Sequence, residues 1–132
     1  MTTTAIELLD AIHEHLAVFE LPELCSVSVV VSSLPPNISG QLACHEPEIA
    51  AALLAWAETL TEPAAEAWRV PRGHEVHLAV TGRLPGGTTV RIYGGVVFHE
   101  RGLGADLAPG ARTPLRLATL CPVAALGEVP AR

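Results

Sequence analysis

The chain has 132 residues, enough for one domain with a core of its own and without metal or disulfide support. Hydrophobic residues make up 49% of it and charged residues only 17%, which excludes disorder over the whole length. The net charge is −6, and all eight basic residues are arginines spread along the chain. This composition argues against nucleic-acid binding driven by phosphate contacts.

The absence of lysine beside abundant alanine, glycine and proline is typical of a GC-rich bacterial genome. Residues 1–10 lack the basic start and apolar core of a signal peptide, and no apolar run approaches the roughly 18 residues of a membrane span. We therefore expect a bacterial, cytoplasmic protein without membrane contact. In that reducing compartment Cys25, Cys44 and Cys121 are expected to be small apolar residues.

The first predicted elements are a helix and two strands. Threonines 2–4 offer a cap for a helix over residues 5–19, followed by a strand over 25–31 whose valine and serine alternation predicts burial mainly on one side. After a proline turn, residues 38–44 are predicted to return as an antiparallel strand. The apolar face of the helix would consist of Ala5, Leu8, Leu9, Ile12, Leu16 and Phe19.

A second helix is predicted to begin at Pro47, which is flanked by two glutamates that complement the positive end of a helix. Its many alanines make thin flanks, so we expect it to lie close on a sheet, crossing at Gly94-Gly95. A short third strand is predicted over residues 67–70. The apolar stripe of the helix would consist of Ile49, Leu53, Trp56 and Leu60.

A β-hairpin around Pro85–Gly87 is the most specific prediction from the sequence. Two alternating runs, 75–84 and 88–98, flank these residues. A two-residue loop would split the aliphatic side chains between the two faces, whereas a three-residue loop pairs Val80 with Ile92 and gathers them on one face. Proline first and glycine last also suit a type I turn closed by a left-handed residue.

Beyond residue 98, prolines and glycines make regular structure sparse, yet the leucines are too many for a solvated tail. Alternation over residues 115–121 is typical of a short strand. We expect one domain over residues 1–98, and an arm over 99–132 that docks on this domain or on a second subunit.

The predicted order is α-β-β-α-β-β-β. It indicates an α+β fold, with two helices packed on one face of a mainly antiparallel sheet of about five strands and an irregular C-terminal arm.

The histidines come in pairs that do not suit a shared metal. His13 and His15 are two apart on a helix and point in different directions, so both are expected at the surface. His74 and His77 are three apart on a strand and project to opposite faces. No metal site is predicted.

No catalytic residue or cofactor is predicted either. The pair Cys44-His45 precedes a helix, where a reactive thiol is one interpretation and a buried cysteine another. The serines lack the glycine frame of a nucleophile elbow, and Gly102 and Gly104 form a G-x-G without a strand-to-helix context. The sequence therefore favours a protein that is not an enzyme.

The strongest candidate for function is a surface. If the helices cover the aliphatic side of the hairpin, the other side carries a polar band that includes His77, Arg83, Arg91 and Tyr93. Tyrosine and arginine are enriched at protein interfaces, although a solvated sheet face is the plain alternative. We expect an interaction or accessory protein whose partner is itself, as a homodimer, or another protein.

A second interpretation is a small-ligand-binding protein or minor enzyme. Its pocket would lie between helix and sheet and be lined by Cys44, His45, Trp56 or Tyr93.

Overall fold

The computed structural model describes residues 3–32 and 35–121, so residues 122–132 of the predicted arm lie outside it. The described chain contains two helices and six strands, and it is helical again over residues 117–121. The elements are α1 (Ala5–Val18), β1 (Leu24–Val30), β2 (Asn37–Leu42), α2 (Ile49–Ala57), β3 (Thr61–Arg69), β4 (Glu75–Arg83), β5 (Thr89–Val97) and β6 (Arg112–Leu115).

The strands form one sheet in the order β1-β2-β5-β4-β3-β6. All neighbours are antiparallel except β2 and β5, which run parallel. The predicted α+β class with a mainly antiparallel sheet is therefore confirmed. The sheet has one strand more than the predicted five, because β6 adds to the edge beyond β3.

The hairpin of β4 and β5 has the predicted register, with Val80 opposite Ile92. The amide of Leu84 donates to the carbonyl of Thr88 at 2.9 Å, which closes a three-residue loop. Gly87 ends that loop with a φ of +94°, a value that favours glycine. The aliphatic side chains of both strands therefore share one buried face. They are Val76, Leu78, Val80, Val90 and Ile92.

Helix α2 packs on this face through its predicted stripe, and Ile49, Leu53 and Trp56 are all buried. A Cβ added at Gly94 would lie 2.6 Å from Cδ1 of Ile49, so the glycine lets the helix approach the sheet closely. Of the two glycines at which α2 was predicted to cross the sheet, only Gly94 faces the helix. Gly95 faces the other side of the sheet, where the carboxyl group of Glu75 covers it.

Helix α1 packs on the same core but is rotated from the predicted orientation. Its buried residues are Leu8, Ile12 and His15, so the prediction that His15 lies at the surface is wrong. Four residues of the predicted apolar face are exposed because α1 lies over β1 and β2, at the end of the sheet, where no further strand covers its flank. These residues are Ala5, Leu9, Leu16 and Phe19.

Strand β1 is also more exposed than predicted. It lies at the edge of the sheet, and Val27 on its helix side keeps 40% of its surface accessible. The predicted burial of one side fails for the same reason as in α1: the layer of helices ends before the sheet does.

Strand β3 is longer than the predicted 67–70. The chain enters it through a bulge between Thr61 and Ala64, with Glu62 at a φ of 52°. The bulge accommodates Pro63 within the strand, although a proline cannot donate a hydrogen bond to the ladder.

Residues 99–121 pack on the same core as residues 3–98. Leu107 and Leu120 are buried in it, and Arg69 on β3 donates from Nη1 to the carbonyl of Leu107 at 2.8 Å. The strand predicted over 115–121 is wrong beyond its first residue, because β6 ends at Leu115 and residues 117–121 are helical. Leu117 and Leu120 are three apart, and a helical turn lets both contact the core.

Candidate functional site

The helices leave one face of the sheet to solvent, and we call it the open face. The strand register fixes which residues share it, because directly opposed residues lie on the same side of a sheet. Its larger and charged side chains, from β3 to β6, are Glu62, Glu66, Trp68, Glu75, His77, Thr81, Arg83, Thr89, Arg91, Tyr93 and Arg112.

Three aromatic rings meet at the middle of the open face. Trp68 lies directly opposite His77, and their ring centroids are 5.3 Å apart in an edge-on contact. Tyr93 stacks on the other side of His77 at 5.8 Å, with 20° between the ring planes. Three neighbouring strands each supply one ring, so the row depends on the pairing of the whole sheet.

Two arginines extend this row into a closed ring of contacts. The guanidinium of Arg91 lies 5.1 Å from the centroid of Tyr93, and that of Arg112 lies 5.6 Å from Trp68. The carboxylate of Glu66 joins the arginines, at 3.3 Å from Arg91 and 3.7 Å from Arg112. We call this set the aromatic–arginine cluster; its members are Glu66, Trp68, His77, Arg91, Tyr93 and Arg112.

A small residue at the centre allows the cluster to close. Ala79 lies on the open face, directly opposite both Tyr93 and Glu66, and is only 1% exposed. The larger side chains therefore lean over it and contact one another. Outside this centre they remain accessible, as Arg112 does with 60% of its side chain exposed. The cluster is thus preorganised and open to a partner at the same time.

Several polar groups of the open face are available for binding. His77 is engaged by Glu75, whose carboxylate lies 2.8 Å from its Nε2. Within residues 3–32 and 35–121, however, the indole N–H of Trp68 and the hydroxyl of Tyr93 have no hydrogen-bond partner. The surface combines aromatic area, arginine charge and two donors without a partner among the described residues, and tyrosine, tryptophan and arginine are enriched at protein interfaces.

The structure brings together three of the four site residues predicted from sequence. His77, Arg91 and Tyr93 belong to the cluster, whereas Arg83 lies exposed at the end of β4, opposite Thr89. The open face therefore continues past the cluster as far as Arg83.

Sequence reasoning missed the other half of the cluster. Glu66 and Trp68 alternate with two alanines, which is a pattern typical of a strand. The third strand predicted over residues 67–70 includes Trp68 but not Glu66. Arg112 was missed because β6 is only four residues long and lies in the segment interpreted as an irregular arm.

The four residues proposed for a helix-to-sheet pocket do not form one. Trp56 is fully buried and donates from Nε1 to the carbonyl of Pro22 at 3.1 Å, while Tyr93 lies on the open face. Burial, together with the nearby charge of Glu48, raises the pKa of the Cys44 thiol, which keeps it protonated and weakens it as a nucleophile.

A cavity of about 320 Å³ does lie between the start of α2, the sheet and the loop over residues 99–103. Its mouth carries Glu46, whose carboxylate accepts a hydrogen bond from the amide of Val97 and lies 3.8 Å from Nε2 of His99. Arg101 completes the charged rim. The apolar wall includes Ile49, Leu78, Val96 and Leu103.

No group of three or more metal-binding side chains is found in the described part of the chain. Over the same residues, no helix combines the length and apolar character required to cross a bilayer.

Comparison with known proteins identifies no relative. No protein family, no curated protein and no solved structure matches this chain.

Proposed function

We propose that the chain is a non-catalytic interaction protein of the bacterial cytoplasm, and that the aromatic–arginine cluster is its binding surface for another protein. The observation that carries the proposal is the closed ring of contacts in which Trp68 and Tyr93 stand on the solvent side of the sheet with free donor groups.

The placement of aromatic residues outside the core supports a binding role. The chain has only three tryptophan and tyrosine residues, and two of them lie on the open face, away from the core. Partly exposed ion pairs such as those of Glu66 contribute little to stability, about 0–1 kcal/mol. Tryptophan, tyrosine and arginine are also the residues that most often dominate the binding energy of protein interfaces.

The charge of the open face indicates the chemistry of the partner. The face carries three arginines and three glutamates, with Glu62 at the end that holds Arg83, so it is balanced in charge although the chain as a whole has a net charge of −6. Arg83 forms no salt bridge within the described residues, and Arg112 is largely exposed. The partner segment is therefore acidic, with aromatic or apolar side chains to cover the rings.

A random peptide display against the immobilised protein tests this proposal. We expect the selected peptides to be rich in aspartate and glutamate, and to shift the amide NMR signals of β3, β4 and β5. The double variant Trp68→Ala/Tyr93→Ala should weaken binding at least tenfold, as expected for truncation of central aromatic residues. Ile6→Ala, an exposed apolar site on α1, is the control and should leave binding unchanged.

Circular dichroism and the melting temperature of each variant must show that it folds. Selected peptides that are basic, or that bind the double variant as well as the original protein, would contradict the proposal.

Self-association as a homodimer is the second part of the proposal. It is supported by apolar surface that the helices leave exposed at the end of the sheet, beside β1.

The cavity beside α2 favours a second candidate function, the binding of a small carboxylate with an apolar tail. One carboxylate oxygen of Glu46 is held by the amide of Val97 and its side chain faces His99, which leaves Arg101 as the available cation at the mouth. The apolar volume of about 320 Å³ accommodates a short hydrocarbon chain.

Octanoate is a suitable probe for this second function. It should raise the melting temperature in a concentration-dependent manner, and the exposed-site variant Arg101→Gln should reduce that shift. Arg116→Gln is the matched control, since it removes an exposed arginine that does not line the cavity. A flat response to octanoate excludes this candidate and leaves the open-face proposal untouched.

A further inference from the structure

The two edges of the sheet differ in how they are protected against pairing with another strand. At one edge, β6 has only four residues, and they include Pro114 and Arg112, both of which discourage further pairing. At the other edge, β1 has seven residues without proline or charge, and its protection is confined to a bulge between Leu24 and Ser26. Among the described residues β1 pairs in the sheet with β2 alone, so beyond the bulge the second side of residues 26–29 is open to a further strand.

A cleft of about 560 Å³ continues from this edge onto the end of helix α1. Leu16 on the helix, Phe19 just after it and Val27 on the strand form its apolar part, each at least 37% exposed, while Glu20 and Glu23 contribute charge. Leu9 adds a further exposed apolar side chain on the same helix. The regular part of β1 and the exposed apolar side chains of the helix thus form one continuous surface.

We infer that β1 is a dimer seam, where it pairs antiparallel with β1 of a second copy of this chain about a two-fold axis at Val27. This inference rests on the self-association part of the proposed function and does not involve the aromatic–arginine cluster. It joins two six-stranded sheets into one continuous sheet with both open faces on the same side.

The sequence of β1 suits pairing with itself. An axis at Val27 places the two copies of Val27 opposite each other, on the side of the sheet that carries the helices. Ser26 then faces Ser28 of the partner subunit on the opposite side. Valine therefore pairs with valine and serine with serine across the seam. Strand β1 carries no charged side chain that would favour a different partner.

Of the two acidic residues that line the cleft, Glu23 lies nearer in sequence to β1, and its position does not oppose the pairing. Glu23 precedes β1 and therefore lies four positions from the axis in each copy. The two copies of Glu23 are then eight positions apart along the seam, or about 27 Å at ~3.4 Å per residue. At that distance salt screens their repulsion. The exposed Leu16 and Phe19 of both copies approach the seam from the helix side and are covered by the association.

Light scattering after gel filtration tests the seam with the full chain over about a hundredfold range of concentration. We expect a dimer, and we expect Val27→Lys to convert it to a monomer, since lysine on an edge strand blocks pairing. Val97→Lys is the matched control, because Val97 is 59% exposed at the end of β5, remote from β1, and its replacement should leave the dimer intact.

A cross-linking experiment removes the dependence on a variant that fails to fold. In a chain with the exposed Cys25 and Cys121 changed to serine, Val27→Cys should oxidise to a covalent dimer, because opposed residues have Cα atoms about 4.5–5.5 Å apart. Ser28→Cys, whose two copies are offset along the seam, should not. A cross-link at residue 28 but not at residue 27 would overturn the axis.

The outcomes separate the seam from self-association as such. A wild-type dimer that Val27→Lys leaves intact, and that Val27→Cys does not cross-link, would overturn the seam while self-association stands. A wild-type monomer at every concentration would overturn both, and it would leave β1 to be covered by another protein or by residues 122–132.

Discussion

His15 on α1 and Thr59 after α2 are 44 positions apart in the sequence, and a hydrogen bond of 2.7 Å joins them in the core. The hydroxyl of Thr59 donates to the carbonyl of Trp56 at 2.8 Å, so it accepts from Nε2 of His15, which must carry the proton. The imidazole also packs on Trp56 and Phe19. This neutral, buried histidine therefore links α1 to the residues that follow α2.

This bond predicts a pH dependence of stability. Burial lowers the pKa of His15 in the folded chain. Below the ordinary histidine pKa of about 6.5, the unfolded chain therefore binds a proton that the folded chain binds only at a lower pH. The free energy of unfolding should therefore decrease as the pH falls from neutrality through this window. Urea unfolding of the original protein and of His15→Gln across the window measures the effect.

Glutamine at residue 15 can still donate to Thr59 but cannot titrate, so this variant should show a smaller loss of stability at low pH. His13→Gln, an exposed site on the same helix, should keep the full loss. An identical pH profile for the original protein and His15→Gln would show that the buried imidazole is not the titrating group.

Gly94→Ala should destabilise the fold by about 1–3 kcal/mol, because its Cβ would overlap Cδ1 of Ile49 and push α2 away from the sheet. Ile49→Val removes that methyl group, so the double variant should recover part of the loss in a double-mutant cycle. Gly86→Ala lies in open space and should cost less than about 0.5 kcal/mol. Chemical denaturation measures all five proteins, and strictly additive effects of Gly94→Ala and Ile49→Val would contradict the proposed contact.

Trp56→Phe should cost about 2–3 kcal/mol. The substitution leaves a void at a fully buried site and removes the donor that reaches the carbonyl of Pro22. Trp68→Phe makes the same chemical change on the open face, where it should cost less than about 1 kcal/mol. Thermal unfolding followed by circular dichroism compares the two, and equal losses would argue against the different environments of the two indoles.

Arg69→Lys should loosen residues 99–111 and cost about 1–2 kcal/mol. The guanidinium donates from Nε to the carbonyl of Gly73 and from Nη1 to that of Leu107, and it stacks 3.6 Å from the ring centroid of Phe98. Lysine cannot make both hydrogen bonds and the stacking contact together. Hydrogen exchange should quicken in this segment.

Arg72→Lys is the control for that experiment, because Arg72 is exposed and adjacent in sequence. If exchange in residues 99–111 were as slow in Arg69→Lys as in Arg72→Lys, the segment would be held by its leucines alone.

The candidate site could be predicted only in part. His77, Arg91 and Tyr93 follow from the hairpin, since its register alone assigns them to one face. Glu66 and Arg112 come from strands that reach this face through long-range pairing, and neither strand was fully predicted. Alternation within one strand shows which of its residues share a side. It does not show which other strands lie next to that strand in the sheet.

The sequence by itself determined the hairpin of Val80 and Ile92 and the stripe of α2, because alternation, turn chemistry and helical spacing act over a few residues. Only the tertiary structure decided the rest: the parallel pairing of β2 with β5, the burial of His15, and the exposure of Val27. The first two depend on contacts between elements that are far apart in the sequence, and the third on where the layer of helices ends over the sheet. Packing across the whole chain sets all three, and no local pattern encodes them.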